Sequence, residues 1–299
     1  MNLFNKIIDK LYLKQWSIGV ADISIEKVIQ NKKIDSEFIW FPINNNFQFF
    51  ADPFIYKNIS DEYCILYEEL DYRKQYGYIS EFTLNKKNEI ISKKIQLDTN
   101  SHLSYPFIFF ENDRLYVFPE SSAIGKLSCF QYDQEKKMLK FEKDILDLPL
   151  LDSTILKHEN KYWIFCTMRG EDSNKKLYIF YADSLLGSYK PHAQNPVKDN
   201  INGSRPAGNF IVIGGNIYRP AQNSGKYYGS SIAITKIVVL NETEFIEEDY
   251  MTLIPGKKES FNFGIHTINY QDDLIVIDGL RRIFAPLTQI TTFIKKKLK

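Results

Sequence analysis

The chain repeats one structural unit five times, and this repeat limits its possible folds more than any other feature. In each unit a short strand that begins with a polar residue is followed by a turn and by a second, aromatic-rich strand. The units begin at Ala51, Ser104, Leu151, Ser204 and Ile265. Turn-forming residues separate the two strands, as at Asn112 and Asp113 in the second unit. Such self-similarity indicates a repeat architecture.

Further strand-like segments follow the first four hairpins, so a full unit has four strands in about 50 residues, which is typical of a β-propeller blade. The fifth unit is too short, and segment 16–48 supplies its missing strands and closes the ring. We therefore predict an all-β, five-bladed β-propeller in a single domain, 1–299. The predicted blades span about 49–100, 101–149, 150–200, 201–257, and 258–283 plus 16–48. An irregular two-sheet β protein is the alternative.

Composition excludes several functional classes. The 299 residues include 38 Lys+Arg and 37 Asp+Glu, so the net charge of +1 provides no field that would hold nucleic acid. The three cysteines are widely spaced in apolar runs and form neither a metal-finger pattern nor a disulfide framework, which suits a reducing compartment. The first residues lack the apolar core of a signal peptide, so we expect a cytoplasmic protein.

The two ends of the chain form a separate feature. Segments 1–15 and 284–299 are basic and amphipathic, and we expect short terminal helices there. One interpretation is a solvated cap on the propeller. The other is peripheral contact with the anionic surface of the inner membrane.

Residues that begin the inner strand of each blade converge at one end of a propeller channel. Aligning the five units brings together Asp52, Tyr105, Asp152, Arg205 and His266. The ends of the second strands add a further set: Glu68, Glu69, Glu120, Arg169, Arg219, Gln222 and Asp278. The sequence therefore predicts one cavity that contains several carboxylates and two or three guanidinium groups.

Two family resemblances follow from these segments. ADPF at the first unit and DSTI at the third resemble the first-blade and third-blade aspartates of five-bladed furanosidase-like glycoside hydrolases, such as arabinanases, invertases and levansucrases. A longer series, including FFADPF, LSYPFIF, FPESS, LLDSTIL, SRPAG, YRPAQN and GIHTIN, resembles the N-terminal domain of plant glucosamine inositolphosphorylceramide transferases. Similar stand-alone domains occur in bacterial polysaccharide loci. This second resemblance covers about Phe50 to Gly279.

The hydrolase resemblance implies catalytic roles for two aspartates. Asp52 matches the base or nucleophile, and Asp152 matches the residue that orients the sugar and adjusts the pKa of its neighbours. The hydrolases carry their general acid on the fourth blade, where this chain has Arg205 in SRPAG. Since an arginine does not donate a proton at neutral pH, the acid must come from Glu120, Glu68 or Glu69. In a strand only one of the last two reaches the cavity.

Other residues of the set are candidates for substrate binding. Arg205 and Arg219 either clamp a phosphate or carboxylate or form salt bridges with Asp152 or Glu120. His266 either binds substrate or is a hydrogen-bonded interior histidine. The remaining candidates are Tyr105, Glu69, Gln222, Arg169 and Asp278. No DxD or nucleotide-binding motif occurs, so we predict no cofactor, no metal site and metal-independent transfer.

The leading functional interpretation is a metal-independent glycosyltransferase of bacterial surface-polysaccharide assembly, in capsule or lipopolysaccharide. It would use a phosphate-activated sugar donor, such as a nucleotide sugar, and a glycan acceptor that can be lipid-linked. In this interpretation Asp52, Asp152 and Glu120 are catalytic, and the arginines hold the leaving phosphate. Two alternatives are an intracellular furanosidase-like glycoside hydrolase and a non-catalytic glycan-binding module.

Overall fold

The computed structural model describes residues 11–289 and residue 291. Within them, 22 strands form five antiparallel sheets, and the sheets are arranged as the blades of a propeller. The predicted all-β, five-bladed fold is confirmed. None of the helices in this part of the chain has the length and apolar character needed to cross a bilayer.

The elements follow the chain blade by blade, and the inner strand comes first in blades one to four. The N-terminal elements are β1 (Tyr12–Asp22), α1 (Ile25–Asn31) and β2 (Ile39–Trp40). The first blade contains β3 (Gln48–Lys57), β4 (Tyr63–Asp71), β5 (Tyr76–Leu84) and β6 (Ile90–Leu97). The second blade contains β7 (Ser104–Glu111), β8 (Arg114–Glu120), a 3₁₀ turn (Ser122–Ile124), β9 (Leu127–Asp133) and β10 (Met138–Leu146).

The third blade contains β11 (Leu150–His158), β12 (Lys161–Met168), β13 (Lys176–Ala182), β14 (Lys190–Pro191) and β15 (Lys198–Asp199). The fourth contains β16 (Asn202–Pro206), β17 (Ile211–Ile213), β18 (Asn216–Asn223), β19 (Ser231–Leu240) and β20 (Phe245–Leu253). β21 (Ile268–Gln271) and β22 (Leu274–Phe284) join β1 and β2 to complete the fifth blade in the order β21-β22-β1-β2.

The central strands of the blades are apolar on both faces because each sheet is packed between two others. In β4, Cys64 and Leu66 contact the hydrophobic cluster shared with the second blade. The alternate residues Ile65 and Tyr67 pack instead against the fifth blade. Burying a large apolar side chain stabilises a fold by about 1.5–3 kcal/mol, so these interfaces between blades hold the ring together.

The ring is closed by pairing of the two ends of the chain. β1 pairs with β22 along its whole length, from Tyr12 opposite Phe284 to Asp22 opposite Leu274. The strand therefore begins at Tyr12, and the expectation of a terminal helix through residue 15 is wrong for residues 12–15. Residues 286–289 are helical. The rest of the predicted terminal helices, at 1–10 and 292–299, lies outside the described residues.

The inner strands approach each other closely at the axis. The Ile268 amide donates a hydrogen bond to the Ala207 carbonyl at 2.9 Å, which joins the fifth blade to the fourth. Gly208 has a φ of +127°, and a Cβ there would lie 1.9 Å from the Ile268 carbonyl oxygen. This contact therefore requires glycine.

Ring closure leads to a stability prediction for Ile18, which is fully buried in β1. Ile18→Ala should lower the free energy of unfolding by about 2–5 kcal/mol, because it leaves a cavity between the fifth and first blades. Ile59→Ala is the matched control, since Ile59 is 81% exposed. Urea denaturation of the two variants measures the difference, and equal stabilities would contradict the role of β1 in the core.

Candidate active site

The inner strands of the first three blades carry the same backbone irregularity. Asp52, Tyr105 and Asp152 have φ values of 52°, 41° and 49°, in the left-handed region. Each lies at a register shift between the first and second strands of its blade. A left-handed non-glycine residue costs about 1–3 kcal/mol, and such strain is common at functional sites. The bulge redirects each of these residues relative to a regular strand.

Asp278 links the fifth blade to the first. Its Oδ1 accepts the backbone N–H groups of His266 at 3.0 Å and Thr267 at 2.9 Å. Its Oδ2 accepts the backbone N–H of Asp52 at 3.0 Å and also pairs with Nδ1 of the His266 ring. These donors compensate a carboxylate that has no solvent exposure.

Asp52 is held from three sides. Its Oδ1 accepts the Thr267 hydroxyl at 2.8 Å, and its Oδ2 accepts the Tyr105 backbone N–H at 3.2 Å. The His266 Nε2 lies 3.9 Å from Oδ1. Burial, with smaller contributions from the Asp152 and Asp278 charges, raises the pKa of Asp52 to about 6 against the lowering effect of His266. Asp52 is therefore a carboxylate that can accept a proton near neutral pH.

His266 is fixed by aromatic neighbours. Its ring stacks on Trp16 at 4.0 Å between centroids, and the edge of Tyr228 contacts it at 5.3 Å. Burial alone would lower the pKa of His266, but the Asp278 carboxylate, with help from Asp52, raises it above its usual value. The imidazolium then places a positive charge between two carboxylates.

Asp152 is paired with Arg205 from the fourth blade. The guanidinium donates from Nε at 2.6 Å and from Nη2 at 3.1 Å, a bidentate arrangement. Gln222 Nε2 donates to the same carboxylate at 2.7 Å. Arg205 also lies 5.5 Å from the centre of the Tyr228 ring. Of the two alternatives for Arg205, a ligand clamp or a salt bridge, the structure contains the salt bridge with Asp152.

Glu120 is only partly compensated by hydrogen bonds. Ser122 donates to its Oε1 at 2.9 Å, while its buried Oε2 has no hydrogen-bond partner. Arg205 Nη2 stands 3.5 Å from that oxygen. Burial and the nearby Asp152 charge raise the pKa of Glu120 to about 8, although Arg205 lowers it. Glu120 is therefore protonated near neutral pH.

The structure separates the two adjacent glutamates. Glu68 belongs with the other carboxyls: burial and the charges of Asp52 and Glu120 raise its pKa well above the usual range. Glu69 points away and binds Lys93 at 2.7 Å and Gln48 at 3.3 Å. The expectation that Glu69 contacts substrate is therefore not supported by its position. We call Asp52, Glu68, Glu120, Asp152, Arg205, His266 and Asp278 the central cluster.

Three other sequence candidates lie differently from the expectation. Arg219 is buried within the fourth blade, where it forms a bidentate pair with Glu247 at 2.8 and 2.7 Å and donates to the Gly203 carbonyl. It is therefore not placed as a phosphate clamp. Arg169 is exposed, and its charge reaches His102. The Tyr105 hydroxyl is used inside the protein, since it accepts the Gly208 N–H at 2.7 Å.

The alignment of the units missed four residues around the central cluster. Thr267, Trp16 and Tyr228 contact Asp52 or His266 as described above. The fourth, His102, has its Nε2 3.7 Å from Glu68 Oε1 while its Nδ1 accepts the Gly77 N–H. Thr267 directly follows His266 in the sequence, so its position next to an aligned residue could have identified it. The others lie outside the aligned positions, so only the folded structure brings them to the cluster.

Asp52, His266 and Asp278 each offer a possible metal-ligand atom, and these atoms lie within 4.8 Å of one another. Hydrogen bonds already join them: Asp278 pairs with the His266 ring, and Thr267 donates to Asp52. We therefore describe the three residues as a hydrogen-bonded chain across the interface between two blades.

Comparison with known proteins identifies a family. The family model described as "Glucosamine inositolphosphorylceramide transferase 1, N-terminal" matches residues 41–266. The transferase of that name from Arabidopsis thaliana is 32% identical, over 89% of this chain and 39% of that protein. The protein from Oryza sativa subsp. japonica is 31% identical, over 67% and 27%. The chain thus spans less than half the length of these relatives. The resemblance to the plant transferases is confirmed.

Solved structures of glycoside hydrolases share the fold. A family 117 glycoside hydrolase of the marine bacterium Zobellia galactanivorans superposes with a TM-score of 0.56 and 13% identity, over 82% of this chain and 88% of that chain. An exo-β-1,3-galactanase from Clostridium thermocellum gives 0.55 and 11% identity, over 75% and 58%. At these identities the likeness shows a common propeller fold.

Glu120 leads to a prediction about stability and pH. Its pKa is about 8 in the folded protein against 4.5 as its ordinary value, so between these values the folded state binds more protons. The contribution of this group to stability therefore falls as the pH rises through that window, by up to about 1.4 kcal/mol per pH unit. Glu120→Gln removes this loss.

The measurement is urea denaturation at several pH values between about 5 and 8. Wild-type protein should lose more stability than Glu120→Gln as the pH rises. Glu171→Gln is the control, since Glu171 is exposed and should leave the wild-type slope unchanged. Parallel curves for wild type and Glu120→Gln would show that Glu120 is not preferentially protonated in the folded state.

Proposed function

Since this chain belongs to the family of glucosamine inositolphosphorylceramide transferase 1 N-terminal domains, we propose that it is a glycosyltransferase whose reaction takes place at the central cluster. The observation that carries this proposal is the division of protons between two buried carboxyl groups. Asp52 has a pKa near 6 and Glu120 a pKa near 8, so one is ionised and the other protonated at neutral pH. Displacement at an anomeric carbon uses such a pair as base and acid.

Each proton has a defined path in this reaction. Asp52 removes the proton from an acceptor hydroxyl while the oxygen of that hydroxyl forms a bond to the anomeric carbon of the donor. The bond from that carbon to the leaving oxygen breaks, and Glu120 gives its proton to the leaving oxygen. The His266 imidazolium, 3.9 Å from Asp52 Oδ1, favours the ionised form of the base before the reaction.

In this proposal the pair of Asp152 and Arg205 binds the substrate and takes no part in proton transfer. Arg205 is 14% exposed at its side chain, whereas Asp152 is almost completely buried. Among the described residues, Arg205 Nη1 donates one hydrogen bond, to Asn174 at 3.4 Å. This edge of the guanidinium can therefore bind a ligand oxygen. A phosphate-activated donor would meet Arg205 rather than Arg219, because Arg219 is engaged by Glu247.

The charge of the central cluster favours a sugar that carries an amino group. The raised pKa values of Glu68 and Glu120 favour their neutral forms, so the three carboxylates of the aspartates face the two positive groups of Arg205 and His266. An ammonium group would balance the one negative charge that remains. The name of the relatives contains glucosamine, which supports the same sugar class for this chain.

An aromatic surface beside the cluster fits a sugar ring. Tyr228 is 39% exposed, and its ring edge contacts Trp16 at 6.5 Å between centroids and His266 at 5.3 Å. Rigid aromatic side chains provide contact area at a low entropy cost. We assign Tyr228 as the surface on which the sugar rests while the carboxyls act on it.

The cellular setting belongs to the same proposal. The relatives' name includes inositolphosphorylceramide, which supports an acceptor that carries a lipid-linked phosphate. Assembly of a bacterial surface polysaccharide on a lipid carrier at the cytoplasmic face of the membrane would supply such an acceptor. The basic ends expected to contact the membrane lie largely outside the described residues, so this location rests on the sequence.

A glycoside hydrolase is the second candidate, and Glu120 is the observation that favours it. A leaving sugar oxygen needs a proton far more than a leaving phosphate does, and Glu120 is protonated at neutral pH. Water would then replace the acceptor hydroxyl at Asp52. The two candidates share their residues and differ in the donor that they consume.

The test compares four proteins on two kinds of donor. One set of incubations contains nucleotide-activated amino sugars and lipid-linked acceptors, and a second set contains oligosaccharides. Each set is run with wild type, Asp52→Asn, Glu120→Gln and Glu69→Gln. Mass spectrometry measures transferred and released sugar. Asp52→Asn and Glu120→Gln should each lose about 10²–10⁴-fold in rate, since a positioned acid or base contributes this much. Glu69→Gln is the matched control from the same strand, and should retain the wild-type rate.

The donor that is consumed decides between the candidates. Turnover of a nucleotide sugar supports the transferase, and turnover of an oligosaccharide to free sugar supports the hydrolase. Glycan binding by all four proteins without turnover would overturn both and leave a binding module. Equal losses in Glu69→Gln and Glu120→Gln would show that the losses reflect folding.

A further inference from the structure

A second concave site lies between the fourth and fifth blades. It is a groove of about 400 Å³, formed by β2, the end of β20, the loop after it and one face of β22. Ile277 and Gly279 face this groove, whereas Asp278 between them belongs to the central cluster. Since neighbouring residues of a strand point to opposite faces, β22 separates the two sites. We call this site the Trp40 groove.

The floor of the groove is a fixed aromatic surface. Trp40 Nε1 donates to Glu259 Oε2 at 2.6 Å, which holds the indole in place. The ring lies on the backbone of Gly279, where a Cβ would come within 2.3 Å of it. Phe261 and Phe38 flank the indole, with centroids at 4.8 and 5.5 Å. The groove is therefore formed before any ligand arrives.

The rim of the groove is basic. Lys32, Lys33 and Lys257 line it, against the single carboxylate of Glu259, which Trp40 already engages. Lys33 pairs with Asp35 at 3.0 Å, but both side chains are at least 60% exposed, and such a pair contributes little. Within residues 11–289, Lys257 makes no side-chain ion pair. Lys32 Nζ donates to the Tyr250 carbonyl at 3.4 Å and lies 4.4 Å from the centre of the Tyr250 ring, so Lys33 and Lys257 are the ammonium groups that the rim can offer to an anion.

We propose that the Trp40 groove binds a phosphorylated sugar, as a second carbohydrate site beyond the central cluster. Its volume suits a small ligand, and a ligand with a ring and a phosphate matches an aromatic floor beneath a lysine rim. The aromatic side chains are recessed in a concave surface, which does not fit insertion into a membrane. A ligand here would contact the strand that carries Asp278.

The experiment uses the full chain and three probes of defined structure: glucose 1-phosphate, N-acetylglucosamine 1-phosphate and glucosamine 6-phosphate. Isothermal titration calorimetry measures their affinity for wild type, Lys257→Gln and Lys258→Gln. The last is the matched control, because Lys258 is the next residue and does not line the groove. Asp52→Asn is measured in parallel, to separate this groove from the central cluster.

At least one probe should bind to wild type and Lys258→Gln with equal affinity. Lys257→Gln should weaken that binding by about two- to fivefold, since one exposed charge contact is lost. Added NaCl should weaken binding further, because it screens the ammonium groups. Asp52→Asn should bind as wild type does, whatever happens to the activity proposed above.

Three results would overturn the assignment. One is the absence of binding by any probe at millimolar concentration. The second is equal affinity for Lys257→Gln and wild type. The third is loss of binding in Asp52→Asn, which would assign the ligand to the central cluster instead.

Discussion

The buried carboxylate of Asp278 is the contact on which the arrangement of the site depends. It lies on β22, the strand that closes the ring, and accepts backbone N–H groups from the first and fifth blades. The same group orients the His266 ring, and His266 faces Asp52. The position of Asp52 therefore depends on closure of the propeller, because the strand that closes the ring also carries the carboxylate that binds the Asp52 backbone.

Strain and burial at the axis are tolerated because the blades around them are well packed. Three left-handed residues and several buried carboxyls oppose folding, whereas the interfaces between blades bury the apolar faces of most strands. Burial raises the pKa of Asp52 and Glu120 by different amounts, since His266 compensates the first and Asp152 crowds the second. The same low-polarity surroundings that destabilise the charges therefore give two neighbouring carboxyls different pKa values.

The repeat in the sequence was sufficient to predict the propeller and its closure, because period and turn chemistry are local. It also located Asp52, Asp152 and His266, since equivalent first residues converge at the axis. It did not distinguish Glu68 from Glu69, because a shift of one residue in the pairing exchanges the faces of a strand. It also missed Glu247 as the partner of Arg219, because that pair depends on the placement of the fourth strand of the blade.

Arg205 pairs closely with Asp152 and compensates Glu120 only in part. Where the resembling hydrolases carry a glutamic acid, this chain has a guanidinium that forms two short contacts with Asp152 and approaches Glu120 only to 3.5 Å. Asp152 is thereby paired, while Glu120 Oε2 stays buried without a hydrogen bond. A carboxyl in that position favours its neutral form. The pairing of Arg205 with Asp152 therefore leaves Glu120, like Glu68, as a buried carboxyl whose pKa is raised.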